Sequence, residues 1–88
     1  MRSMTDFTLL TDDRVAVLDL LAEHGFLTAG QVIVLAGGKP DVHSADYQRI
    51  LKILKVLRQA ELVEYDGMVY SLNKAEVSRW MERMGRWL

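Results

Sequence analysis

Asp41, His43 and Ser44 place an acid, a base and a hydroxyl within a single short stretch of the chain. Those are the groups of a nucleophilic triad, but a triad is a geometry between separate elements, not a sequence neighbourhood. The stretch reads as a polar loop that ends in a helix N-cap. His24 and His43 are the two histidines, and the chain contains no cysteine. A disulfide framework and a thiolate zinc site are therefore excluded, and two histidines alone make a poor metal set. His24 is better placed to meet the negative end of a helix dipole. Gly37-Gly38-Lys39 has letters of a phosphate loop, yet Pro40 stands where Ser or Thr is required and no glycine lies five residues before Gly38. Trp80 and Trp87 read as packing anchors rather than base-stacking platforms. No catalytic site, metal or cofactor is expected.

The chemistry that remains is electrostatic. The chain of 88 residues carries a net charge of −1, which supplies no global attraction to nucleic acid. The charge is unevenly distributed. Residues 1–43 hold three basic and six acidic side chains, and residues 61–88 hold four and five. Residues 44–60 hold Arg49, Lys52, Lys55 and Arg58 against Asp46 alone. A charge run on a helix is usually a solvated face; this run falls on the element best suited to enter a DNA groove.

Length bounds the molecule to one domain, residues 1–88, with a modest core that a partner subunit would supplement. Half of the residues are hydrophobic and 26% are charged, a globular composition. Arg2 is followed by Ser3, Thr5 and Asp6 rather than by an apolar stretch, so no signal peptide is expected. The longest apolar run, Val32 to Ala36, is too short to span a membrane. A soluble cytoplasmic protein is the expectation.

Four helical segments and one hairpin position these residues. The first helix is expected from Asp12 to His24, with Thr11 as N-cap, two aspartates at the positive dipole end and Gly25 beyond its end. Val15, Leu18, Leu21 and Ala22 line one side, while Val17 and Leu20 widen the apolar arc so that the helix needs cover twice. Phe26-Leu27 reads as a short strand. Thr28-Ala29-Gly30-Gln31 is a capping box, flanked by Leu27 and Val32 as a hydrophobic staple, and predicts a short helix over a β-branched run that ends at Gly37-Gly38. Lys39 to His43 form the connection. Helix three begins at the N-cap Ser44 and ends near Ala60, with Tyr47, Ile50, Leu51, Leu54 and Leu57 on one side. Gln48, Lys52, Lys55 and Gln59 occupy the other side, flanked by Arg49 and Arg58. Leu62 to Tyr65 and Met68 to Leu72 are strand-like runs about Asp66-Gly67, the signature of a hairpin with a type I′ turn. The last helix, about 74–88, carries the stripe Val77, Trp80, Met81, Met84, Trp87 and Leu88.

From Leu18 to Leu72 the sequence resembles the winged helix-turn-helix domains of bacterial and archaeal regulators. The likeness is carried by Leu20-Leu21-Ala22-Glu23-His24-Gly25-Phe26-Leu27-Thr28-Ala29-Gly30-Gln31-Val32. It resumes at Leu54-Lys55-Val56-Leu57-Arg58-Gln59-Ala60-Glu61-Leu62-Val63-Glu64-Tyr65. Replication-relaxation proteins and small MarR- or PadR-like regulators share this cadence. The resemblance implies an α+β, mainly α fold: three helices, a β-hairpin wing and here an added C-terminal helix, with the core at about 11–72. It also implies that helix three lies in the major groove. The groove-facing residues would then be His43, Ser44, Gln48, Arg49, Lys52 and Lys55, with Arg and Gln suited to guanine and adenine and lysines to phosphates. The wing, Tyr65-Asp66-Gly67, departs from the pattern: it is acidic and carries no cation.

The expected function is sequence-specific binding of double-stranded DNA by a small transcriptional or plasmid- or phage-type regulator. The alternative is a winged-helix module that docks on a protein partner without binding DNA. The apolar stripe of the last helix is expected to form a homodimer interface, the competing arrangement being that it folds back onto helix one of the same chain.

Overall fold

A computed structural model describes residues 10–39 and 41–84; the side chains of Met81, Arg83 and Met84 are outside the description. The chain is α+β and mainly helical, in the order α1 (Asp12–His24), β1 (Phe26–Leu27), α2 (Ala29–Leu35), α3 (Ala45–Gln59), β2 (Val63–Tyr65), β3 (Tyr70–Leu72) and α4 (Lys74–Met84). The three strands form one antiparallel sheet in the order β1-β3-β2.

Local signals explain most of the boundaries. In α2 both halves of the capping box form: the Thr28 hydroxyl accepts the Gln31 N–H at 3.2 Å, and the Gln31 side chain accepts the Thr28 N–H at 2.8 Å. The β-branched run that follows is therefore helical. α2 ends with the N–H of Gly38 donating to the Ile33 carbonyl and that of Gly37 to Val34, with Gly37 at φ +85°. Ser44 caps α3 through its hydroxyl, which accepts the Tyr47 N–H at 3.0 Å. Thr11 occupies the N-cap position of α1, but its side chain makes no capping hydrogen bond; Asp12 and Asp13 remain in the favourable first turn.

α1 packs against α2, α3, β1 and β3. Its buried residues are Val15, Val17, Leu18 and Leu21, with Leu20 half-buried against the same core and Ala22 exposed. The need for cover on two sides, legible in the sequence, is thus met within one chain. Leu54, Leu57, Leu62, Val32 and Ile33 are buried in the same interior.

α4 adds to that interior. Val77 is 0% and Trp80 3% exposed, both within the core cluster. The expectation that Val77 and Trp80 line a dimer interface is therefore corrected: their surface is consumed inside the chain, the fold-back arrangement. Met81, Met84, Trp87 and Leu88, the rest of that stripe, lie outside the described side chains or residues.

The hairpin is also corrected. Its register pairs Val63 with Leu72, Glu64 with Ser71 and Tyr65 with Tyr70. The two residues at the tip are consequently Gly67 and Met68, not Asp66 and Gly67. Gly67 takes φ +101°, whereas Glu61 is the only described non-glycine residue at positive φ, so the type I′ requirement at Asp66 is not met. Asp66 instead spends its carboxylate on the turn. Its Oδ1 accepts the N–H groups of Met68 and Val69, each at 2.9 Å. The slide is by two positions, so every strand residue keeps its face of the sheet.

Candidate nucleic-acid interface

Helix α3 is amphipathic, with an axis of burial turned from the sequence expectation. Ile50, Ile53, Leu54 and Leu57 are buried, while Leu51 is only partly covered. At 100° per residue the buried arc is rotated by roughly 45° from the one anticipated, because Ile53 joins it while Tyr47 and Leu51 are only partly buried. Opposite that arc stand Gln48, Lys52, Lys55 and Gln59, all exposed. Gln48, Arg49, Leu51, Lys52 and Lys55 line one continuous surface depression. The expected lysines and glutamine are thus brought onto a single face, with Leu51 as an apolar floor that sequence reasoning had assigned to the core.

The remaining site residues stand differently. The Ser44 hydroxyl is engaged twice: it accepts from Tyr47 N–H and donates to the Lys39 carbonyl at 3.0 Å. It orders the start of α3. His43 is exposed, with its backbone N–H held by Asp41 Oδ1 at 2.9 Å. Those hydrogen bonds account for the Asp41, His43 and Ser44 cluster as a loop and a helix cap. The Gln48 amide donates to the Val42 carbonyl at 3.0 Å. Arg49 sits at the margin of the face. Its guanidinium lies 3.9 Å from Asp46, and it also borders the cleft between α1 and α3 lined by Asp13, Ala16, Val17 and Leu20.

The connection before α3 is drawn tight by Asp46. Its Oδ2 accepts the Lys39 N–H at 3.4 Å, and a Cβ on Gly38 would lie 3.0 Å from the Asp46 Cβ and 3.1 Å from Ile33 Cγ2. A side chain at position 38 would push α3 away from α2, so glycine here sets how the basic face is presented.

Across the end of α3, the Arg58 guanidinium sits 4.9 Å from the centre of the Tyr65 ring, and Tyr65 stacks on Tyr70 with centroids 4.4 Å apart. Burial raises the Tyr70 phenol above its ordinary pKa, reinforced by Tyr65 and opposed by the Arg58 charge. The backbone N–H groups of Val69 and Met68 hold the Asp66 carboxyl below the ordinary value. Sequence reasoning listed Arg58 as a flank of α3 and missed its tie to the hairpin, which depends on a register no local signal encodes.

Several large apolar side chains are also exposed. Phe26 is 69% and Met68 73% exposed, and Val34, Leu35 and Val42 are exposed as well. Val34 and Leu35 share a hollow with His24, Leu27, Thr28, Gly30 and Gln31. Among the described residues no group of three His, Asp or Glu is placed to hold a metal ion, and no helix is long and apolar enough to cross a membrane. No family model, curated protein or solved structure matches the chain.

Proposed function

We propose that the chain is a winged helix-turn-helix domain that binds double-stranded DNA with α3 in the major groove, in the manner of a small transcriptional or plasmid- or phage-type regulator. One observation carries the reading. Residues 44–60, with four cations against one carboxylate, form the helix whose core-averted face presents Gln48, Lys52 and Lys55 together. Lysines neutralise phosphates, and a glutamine between them can pair with an adenine edge. Support also comes from the element order α1-β1-α2-α3-β2-β3 and the strand order β1-β3-β2, which suit a wing beside a recognition helix.

The test is fluorescence anisotropy with labelled duplexes across a salt series. Affinity falls with salt, with a slope of about −0.9 per phosphate contact on logarithmic axes. Lys52→Glu with Lys55→Glu abolishes binding to all duplexes, whereas Gln48→Ala changes which sequence is preferred. A double charge reversal that leaves binding intact overturns the reading.

A second reading, docking on a protein partner, is favoured by the exposed Phe26, Val34, Leu35, Val42 and Met68. It takes precedence if no duplex binds at low salt.

A further inference from the structure

The hairpin has no lysine or arginine of its own from Glu61 to Asn73. A DNA-binding surface built on α3 would therefore end abruptly where a wing normally extends it. The geometry on the far side of α3 supplies what the hairpin lacks. Lys52, Lys55 and Arg58 follow one another at three-residue spacing, a ridge that slants around the helix by roughly 60° per step. It begins on the exposed face and reaches the hairpin side at Arg58. There the guanidinium is seated 4.9 Å from the Tyr65 ring centre. Tyr65 is itself backed by Tyr70, 4.4 Å away in the stack and buried in the core.

Two further facts make this an outward-directed charge rather than an internal ion pair. Arg58 is exposed and, among the described residues, no carboxylate lies within ion-pair distance of it. Two of the three acidic groups of the hairpin, Glu64 and Asp66, are turned elsewhere. Glu64 pairs with Ser71 and, by strand alternation, faces the side of the sheet opposite Tyr65. Asp66 is folded onto the Met68 and Val69 N–H groups. Stacking on an aromatic face fixes a guanidinium plane while leaving its edge N–H groups free to donate, and guanidinium edges match phosphate oxygens.

We propose that Arg58, seated on Tyr65, is the wing-side phosphate contact of this protein: the cation of the wing is contributed by the end of α3, and Tyr65 is its positioning residue. The proposal rests on the duplex-binding reading above. The row Lys52-Lys55-Arg58 then tracks a DNA strand from the groove to the hairpin, and the contact carries no sequence preference.

The experiment measures binding of the full chain to two mixed-sequence 20-base-pair duplexes of unrelated sequence over a salt series. Arg58→Gln lowers the magnitude of the salt slope by about 0.9 and weakens both duplexes alike, by about five-fold near physiological salt. Arg58→Lys restores the slope. Tyr65→Leu lowers affinity while Tyr65→Phe, which keeps the ring, retains it. Lys52→Gln serves as the internal reference, since it removes a phosphate contact without touching the hairpin. A wild-type slope in Arg58→Gln, with a reduced slope in Lys52→Gln, overturns this proposal and leaves duplex binding standing. A wild-type chain that binds neither duplex at low salt overturns both. Circular dichroism melts of each variant separate a lost contact from a lost fold, because unfolding changes the melt and a missing phosphate contact changes the slope.

Discussion

Asp66 and Val69 close the hairpin through both backbone and side chain: the Asp66 N–H donates to the Val69 carbonyl at 3.3 Å, and the Asp66 carboxylate accepts the Val69 N–H at 2.9 Å. The carboxylate replaces the backbone carbonyl that would ordinarily take that N–H, and it takes the Met68 N–H as well. Hydrogen bonds to the charged form lower the Asp66 pKa below its ordinary value of 3.8. A depressed folded-state pKa means that the stabilisation is complete above the unfolded value and is lost as pH falls through the folded one. Hairpin order is therefore constant near neutrality and declines only below about pH 3.8. Amide exchange at Met68 and Val69 reads this directly. Asp66→Ala accelerates exchange at both positions at neutral pH, and unaltered exchange would mean that the backbone closes the turn unaided.

This turn shows where the sequence was legible and where it was not. Asp-Gly announced a hairpin correctly, because the signal is local. The register was not announced, because it depends on Asp66 acting as a side-chain acceptor and on Tyr65 meeting Tyr70 across the strands. The same division holds elsewhere. The bounds of α1 and the capping box of α2 are written in a few adjacent residues and were read correctly. The rotation of α3 that buries Ile53 and frees Leu51 is decided by what packs against it, as is the docking of Val77 and Trp80. That Gln48, Lys52 and Lys55 share one exposed face of α3 was legible from helical spacing. The structural duty of Ser44 as a doubly bonded cap required the loop before α3 to be in place.

Glu61 ends α3 in a conformation that costs energy. It sits at φ 65°, with its N–H donating to the Arg58 carbonyl and the next N–H, of Leu62, donating to Leu57. That is the Schellman arrangement, whose left-handed position normally belongs to glycine. Asn73 secures the same corner, its amide donating to the Glu61 carbonyl at 3.0 Å. Glu61→Gly relieves the left-handed strain at the expense of a more flexible unfolded chain, for a net gain of about 0.5 kcal/mol. Urea denaturation measures it. A loss of stability would show that the Glu61 side chain contributes more than the strain removes.

Gly38→Ala is expected to act in the opposite direction. The added Cβ meets the Asp46 Cβ at 3.0 Å and Ile33 Cγ2 at 3.1 Å, and neither atom is the far end of a flexible chain. Overpacking of this kind costs about 1–3 kcal/mol. Because Asp46 belongs to the first turn of α3, the displacement reaches Gln48 and Arg49. Gly37→Ala meets no atom within 4 Å and suffers only from its φ of +85°. The two variants therefore differ in kind: nuclear magnetic resonance shift changes spread into α3 for Gly38→Ala and stay at the end of α2 for Gly37→Ala.

Trp80 supplies the sharpest test of how α4 is used. At 3% exposed it belongs to the core, with its indole N–H directed to Glu76 Oε2 at 3.3 Å, and Glu76 is held in turn by Arg79 at 2.8 Å. A side chain at a subunit interface can be removed to leave a folded, lighter species, whereas removal from a core costs about 3–5 kcal/mol for an aromatic and approaches the whole stability of a small domain. Trp80→Ala is accordingly expected to unfold the chain or lower its melting temperature sharply, with no folded intermediate of reduced mass in sedimentation. Trp80→Phe, which keeps most of the buried area and loses the bond to Glu76, remains folded with a smaller loss. A Trp80→Ala chain that keeps wild-type stability but halves its sedimenting mass would return the residue to an interface and displace α4 from the core.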